Sequence, residues 1–109
     1  MRFTELTDKL QVVLAGSVAA NQLHVTVEYQ SLYGASQVRL RTVTMTNDTT
    51  DVDICPAPAA GHVHEVDSVS VYNNDTTAAT VTVKYDANAT EYIIFKQTLQ
   101  PGQTLEWSR

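Results

Sequence analysis

Two histidines separated by one valine, His62 and His64, have the side chains best suited to metal chemistry in this sequence. Residues two apart in an extended segment point to the same face, so the two imidazoles would lie side by side. Glu65, Asp67 and His24 are further donors toward the three or four ligands that zinc commonly takes. No third ligand stands at a defined spacing, so we assign no metal. A solvated strand edge or a pH-responsive contact are the other roles open to the pair.

Nucleophilic chemistry has little support in the sequence. Cys55 is the only cysteine, which excludes an internal disulfide, and its neighbours Ile54 and Pro56 are apolar. A reactive thiolate needs a nearby base or cation, so we expect Cys55 to be a small buried hydrophobic residue. No serine lies in a G-x-S-x-G turn, and no glycine-rich phosphate loop is present. The sequence therefore predicts neither an enzyme nor a bound cofactor.

The acidic residues are spread over polar turns rather than grouped. The turn aspartates are Asp48, Asp51, Asp53, Asp75 and Asp86. None of them belongs to a calcium loop, which alternates oxygen ligands and closes on a glutamate. We interpret them as solvated turn residues.

Composition predicts a single acidic domain. A chain of 109 residues has room for one core, and a hydrophobic fraction of 43% is too high for a disordered segment. The net charge of −5 and the lack of a basic block disfavour direct binding to nucleic acid. No segment has the pattern of an export signal or approaches the roughly 18 apolar residues of a membrane span. We therefore expect a protein used without export and without a membrane partner.

Alternation of apolar and polar residues predicts β-strands along most of the chain. In SVSVYNNDTTAATVTVKYD (68–86), two alternating segments flank a polar turn and predict an antiparallel hairpin. In QPGQ (100–103), Pro and Gly stand where a type II turn requires them, which predicts a second tight hairpin. Seven or eight short strands predict an all-β fold, an antiparallel β-sandwich or a small jelly-roll-like barrel. The predicted core consists of Leu23, Val25, Val27, Val69, Val71, Val81, Val83, Ile93, Phe95 and Leu99.

The first part of the chain lacks this regular pattern. Residues 1–22 contain one short apolar run, and we interpret them as an N-terminal arm or edge strand ahead of a β-sandwich domain at 23–109. An apolar run outside the domain can become ordered on a partner, so Val12, Val13 and Leu14 are candidate partner-binding residues. A chain that lacks most of this arm should stay folded.

A second segment with unusual patterning is QVRLRTVTM (37–45), in which apolar side chains occur on both faces. Such a strand is buried on both faces at one end or is covered by a neighbouring chain. Arg39 and Arg41 lie on one of these faces and are further candidate partner-binding residues.

The stretch from His64 to Trp107 resembles small structural proteins of tailed bacteriophages. Its pattern is a strand ending in YN, a turn with D-T, a TVTV strand, a polar turn, an aromatic-aliphatic strand and a P-G turn before the final strand. The opening TDKLQVVLAGSVAANQLHVTVEY is similar to such proteins as well. This pattern contains no catalytic motif, so the resemblance transfers no functional residues.

The resemblance implies a virion component. A short, acidic, β-rich chain fits a capsid decoration or cement protein, which binds the major capsid protein or other virion proteins and stabilises the head through many repeated contacts. We expect a homo-oligomer, with a trimer favoured because capsid surfaces offer three-fold positions, located in the virion after assembly in the host cytoplasm. A head-tail connector or a tail-tip or fibre component is the alternative within this class.

A carbohydrate-binding or adhesive β-sandwich is the alternative of another class. It would present exposed aromatic side chains grouped with convergent amides. Alternation places Tyr29 and Tyr85 on core faces, so we expect most of the aromatic side chains to serve packing.

Overall fold

The computed structural model describes all residues 1–109 and contains nine β-strands and no helix. The strands are β1 (Arg2–Phe3), β2 (Asp8–Leu14), β3 (His24–Tyr33), β4 (Ser36–Met45), β5 (Val52–Cys55), β6 (Val63–Tyr72), β7 (Ala79–Ala87), β8 (Thr90–Leu99) and β9 (Thr104–Ser108). Sheet A has five strands in the order β1-β6-β3-β4, with β9 also paired to β6, and sheet B has four in the order β5-β2-β7-β8. The predicted all-β sandwich is confirmed, with nine strands instead of seven or eight.

Alternating valines and leucines from both sheets form one core of 17 buried residues. All of the predicted core residues are buried except Ile93 and Phe95. Phe95 is partly buried and packs against Trp107, with ring centroids 6.3 Å apart. Ile93 is 64% exposed, so its assignment to the core was wrong. The cause is a β-bulge in β8, where Val83 pairs with Phe95 and Lys84 with Ile93, which resets the alternation.

Both hairpins predicted from the sequence are wrong, because each pair of strands is divided between the two sheets. β6 lies in sheet A and β7 in sheet B, while β8 lies in sheet B and β9 in sheet A. The predicted turn at 100–103 does form: Gln103 donates its amide to the Gln100 carbonyl over 3.0 Å, and Gly102 has φ 83°. It crosses between sheets instead of closing a ladder. Alternation identifies the buried face of a strand but not the sheet to which its neighbour belongs.

The two true hairpins join β3 to β4 and β7 to β8. Gly34, with φ 58°, occupies the first of the two central positions between Tyr33 and Ser36. Asn88 and Ala89, with φ 52° and 69°, form the other two-residue turn. Positive φ at these positions matches the turn to the right-handed twist of the strands.

Four connections cross between the sheets at the same end of the sandwich, which we call the crossing end. They are residues 15–23, 46–51, 73–78 and 100–103. Each of these connections leaves one sheet and enters the other at this end, so the strand that follows it runs opposite to the strand before it. The fold therefore reverses direction at every connection from β2 onward.

The N-terminal segment is part of the sandwich and not an arm. β2 lies inside sheet B between β5 and β7, and Val12 pairs with Val83. Val12 and Leu14 are 0% and 3% exposed, while Val13 is partly exposed on the outer face of sheet B. Only β1 lies at an edge, paired with β6. The predicted division into an arm at 1–22 and a domain at 23–109 is therefore wrong, because β2 is the strand that joins β5 to the β7–β8 pair in sheet B.

Deleting residues 1–15 is expected to unfold the chain, contrary to the expectation from sequence. The deletion removes β2 and the buried side chains of Leu10, Val12 and Leu14, whose loss costs several kcal/mol each. Circular dichroism of the truncated chain should show loss of the β-type spectrum. The matched control is Leu6→Ser in the same segment, where the side chain is exposed and the thermal midpoint should stay unchanged. A truncated chain that melts cooperatively like the parent would contradict the position of β2.

Candidate functional site

The histidine pair is divided between two separate packing roles. His64 is buried, its Nδ1 lies 2.8 Å from the Pro56 carbonyl oxygen, and its ring packs 5.0 Å from Tyr29. His62 stacks on the ring of Tyr33 at 4.7 Å. No group of three or more His, Cys, Asp or Glu side chains is close enough together to hold a metal ion. The metal candidates therefore act as packing residues in this structure.

The single thiol is enclosed in the core. Cys55 is fully buried at the end of β5, and burial raises the pKa of its thiol to about 12. A thiol held in this way is protonated at neutral pH and is a poor nucleophile.

The free edge of sheet A is β4, which pairs only with β3. On its outer face Val43 is 72% exposed and Met45 is 55% exposed. On its other face Val38 and Leu40 are exposed as well. β5 packs across only part of the inner face of β4, and no residue of β4 is buried. The prediction of burial on both faces within the chain is wrong, and cover by a neighbouring chain stays a prediction.

The two arginines of β4 are exposed on its outer face, as the sequence pattern indicated. The Arg41 guanidinium lies 2.9 Å from a Glu28 carboxylate oxygen on the neighbouring strand. Arg39 has no carboxylate within ion-pair distance. The β4 edge thus combines two exposed cations with exposed apolar side chains.

A second exposed edge, which the sequence analysis missed, is β8 at the border of sheet B. Tyr92, Ile93 and Ile94 are all exposed where β8 begins. The bulge that turns Ile93 outward creates this patch, and the regular alternation of the sequence gave no sign of it. β8 packs near β9 and β4 near β5, so the two apolar edges lie on opposite sides of the sandwich.

The outer face of sheet B carries an ion-pair network beside the short edge strand β5. Lys84 lies 2.8 Å from both the Asp51 and the Glu91 carboxylates, and Lys9 lies 3.4 Å from Asp53. Burial disfavours the Lys84 charge, but the two carboxylates outweigh it and hold the pKa of Lys84 above its usual value. The network therefore joins β5, β2, β7 and β8 across the outer face of sheet B.

Asp75 fixes the crossing between β2 and β3. Its carboxylate accepts the backbone amides of Ala19, Ala20 and Asn21 at 2.9, 2.8 and 3.1 Å. These bonds, the one from Ala19 foremost, hold the pKa of Asp75 well below its usual range. Three amide donors converging on one carboxylate give a fixed loop instead of a flexible joint.

Asp48 holds the same crossing loop from the other side. It accepts the Val18 amide at 2.9 Å and the Gln22 side-chain amide at 2.7 Å, and these bonds lower its pKa. Both aspartates were predicted to be solvated turn residues, but their carboxylates bind the crossing loop. The available signal was the repeated Asn-Asp-Thr triplet at 47–49 and 74–76, which marks both turns that face the loop.

Asp75→Asn is expected to lower the thermal midpoint near neutral pH. The asparagine side chain lacks the negative charge with which the Asp75 carboxylate binds its three backbone amide donors. The folded pKa of Asp75 is lowered, so its stabilisation is complete above the unfolded value of about 3.9 and is lost as the pH falls through the folded value. The difference in midpoint between parent and variant should therefore shrink as the pH falls below about 4.

Thermal scans across this pH range provide the measurement. Glu106→Gln, an exposed position on β9 without an ion pair, is the matched control and should leave the midpoint unchanged. A constant difference between Asp75→Asn and parent at every pH would contradict the role of the charge.

No helix long and apolar enough to cross a membrane occurs in the structure. Comparisons of the chain with protein-family models, with curated proteins and with solved structures give no match.

Proposed function

We propose that this chain is a structural protein of a tailed-bacteriophage virion, most specifically a capsid decoration protein that binds the head surface and stabilises it without catalysing a reaction. The observation that carries the proposal is the pair of uncovered edge strands, β4 and β8, on opposite sides of one small sandwich. The class is the one that the resemblance of residues 64–107 to small structural proteins of tailed bacteriophages implies.

Uncovered edges of this kind are unusual in a monomer. An edge strand offers a row of unpaired backbone donors and acceptors, and soluble proteins blunt it with prolines, bulges, charges or a short length. β8 contains a bulge, whereas β4 spans ten residues with no proline and no bulge in its pairing with β3. Beside its two arginines, β4 exposes Val38, Leu40, Val43 and Met45. Such a strand is suited to pairing with another chain, which supports an assembly role.

The body between the two edges is suited to transmit load. The core joins both sheets, and Asp48 and Asp75 fix the loop that crosses between them. A rigid module with interaction surfaces on two opposite sides can link neighbouring subunits. Repetition by the symmetry of a capsid then turns many modest contacts into a strong restraint.

The exposed tyrosines bear on the carbohydrate-binding alternative. Tyr33 lies at the β3–β4 turn, Tyr72 at the opposite end of sheet A, and Tyr92 on β8 of sheet B. A sugar platform needs several aromatic side chains on one surface with convergent amides. The dispersion of these three side chains favours the virion role over glycan binding. A head-tail connector or tail component would use the same edges and is separated from a decoration protein by position and copy number.

Virions produced from the genome that encodes this chain should contain it at high copy number relative to the major capsid protein. Quantitative mass spectrometry of purified virions measures this ratio. Presence at only a few copies would indicate a connector or tail component, and absence from the virion would refute the proposal.

Substitutions at the edges should reduce occupancy on heads that lack the wild-type chain. Val43→Lys and Ile93→Lys would each bury an unpaired charge at a contact, which is expected to weaken binding by about tenfold or more. Thr76→Lys, exposed in the crossing loop, is the matched control and should bind like the parent. Full occupancy by both edge variants would refute the use of these edges.

A further inference from the structure

The strand that best fits the exposed edge β4 is found in the same chain. β5 borders sheet B on the same side of the sandwich on which β4 borders sheet A, and β5 packs across from β3 and β4. Like β4, β5 pairs on one side only, with β2. We propose that copies of this chain associate by antiparallel pairing of β4 with β5 of a second copy. The inference deepens the proposed function and rests on it for the claim that β4 is covered in the assembled state.

The strand directions allow this pairing. β4 runs parallel to β6, since both are antiparallel to β3, and β5 runs parallel to β7, since both are antiparallel to β2. The connection at 73–78 reverses direction between β6 and β7, so β4 and β5 run in opposite directions. Rotation of a second copy about an axis parallel to the strands preserves these directions. It brings the second copy's β5 beside the first copy's β4 as an antiparallel neighbour.

Charge complementarity selects β5 as the partner. Arg39 and Arg41 stand two residues apart on the outer face of sheet A. Asp51 and Asp53 stand two residues apart beside the outer face of sheet B, where their carboxylates meet Lys84 and Lys9. The rotation makes these two outer faces continuous, so the arginines and the aspartates come to lie on one surface. Opposite charges directly across a strand pair are favourable.

One register places both arginines opposite aspartates and, at the same time, places apolar side chains opposite each other on the inner face. With Arg39 opposite Asp53 of the second copy, Arg41 falls opposite Asp51. Leu40 then falls opposite Val52, and both side chains point toward the interior faces of their sheets. The pairing would cover the exposed part of Leu40 and would give Arg39 the carboxylate that it lacks.

The other edges fit β4 less well. Pairing β4 with a second β4 would bring four guanidinium groups onto one face, which like-charge repulsion disfavours. Pairing β4 with β8 would join opposite sides of successive sandwiches and would grow into an open filament. In the β4–β5 contact, β4 of the first copy is paired and its β5 is not. This β5 lies on the same side of the sandwich and can pair with β4 of the second copy or of a third. The contacts therefore close around the axis, in a two-fold pair or in the expected trimer.

Disulfide trapping tests the contact on the isolated chain, without any virion. Arg39→Cys combined with Asp53→Cys places thiols directly opposite each other between copies. Within one chain these positions lie on opposite outer faces of the sandwich, too far apart for a bond. Native Cys55 is buried and stays out of the reaction. Oxidised glutathione serves as the oxidant, and non-reducing electrophoresis over a concentration series serves as the readout.

The matched control is Val43→Cys with Asp53→Cys, in which the thiols are about 13 Å out of register along the strand. Arg41→Cys with Asp51→Cys is a second matched pair, should the first fold poorly by circular dichroism. We expect covalent oligomers at least about tenfold more abundant with a matched pair than with the control. Equal yields, or no oligomer from either folded matched pair, would overturn the β4–β5 contact. An open ladder of ever larger species would overturn it as well, by indicating a filament.

This outcome is separable from the proposed function. A chain that fails to cross-link in solution but occupies heads at high copy number would refute the contact and leave the decoration role standing. A chain that cross-links in register but is absent from virions would do the reverse.

Discussion

The unpaired backbone of the edge strands is the main physical constraint on this sandwich. A sheet of finite width ends in strands whose outward amides and carbonyls have no ladder partner, and a small sandwich cannot close on itself to remove them. Here the chain shortens some of its edges, with β1 at two residues and β5 at four, but leaves β4 and β8 ten residues long. The exposed apolar side chains lie mainly on these long edges. The inner strands thus supply the stability of the body, and the long edge strands supply the assembly that we propose.

Three sets of contacts hold the body of the sandwich together. Between the sheets, the alternating valines and leucines form one core, with β2 inside sheet B and not outside the domain. At the crossing end, Asp48 and Asp75 accept the amides of the loop that joins β2 to β3. Residues at both ends of the chain bind β6. Val66 donates its amide to the Met1 carbonyl, and Arg109 forms ion pairs with Glu65 and Asp67. These contacts make residues 1–22 part of the sandwich.

The sequence was sufficient for the fold class and for most of the core, because period-two alternation directly reports which side chains of a strand are buried. It was insufficient where long-range pairing decides. The segments around 68–86 and 100–103 look like hairpins locally, yet each crosses between sheets, and no local signal distinguishes these outcomes. The bulge in β8 turned Ile93 outward, and the polar residues of β2 concealed an inner strand. Of the candidate partner-binding residues, Arg39 and Arg41 are exposed, while Val12 and Leu14 are buried. The burial of Val12 and Leu14 follows from the pairing of β2 with β7, which the sequence pattern does not reveal.

Hydrogen exchange tests the central claim, that the long edges are covered in the assembled state, more directly than any substitution. The amides of residues 36–45 should exchange fast in the dilute free chain, because β4 pairs on one side only, and should become protected in the virion assembly that we propose. Residues 79–87 of the inner strand β7 provide the internal reference and should exchange equally slowly in both states. Unchanged exchange of residues 36–45 between the free and the assembled chain would contradict the account.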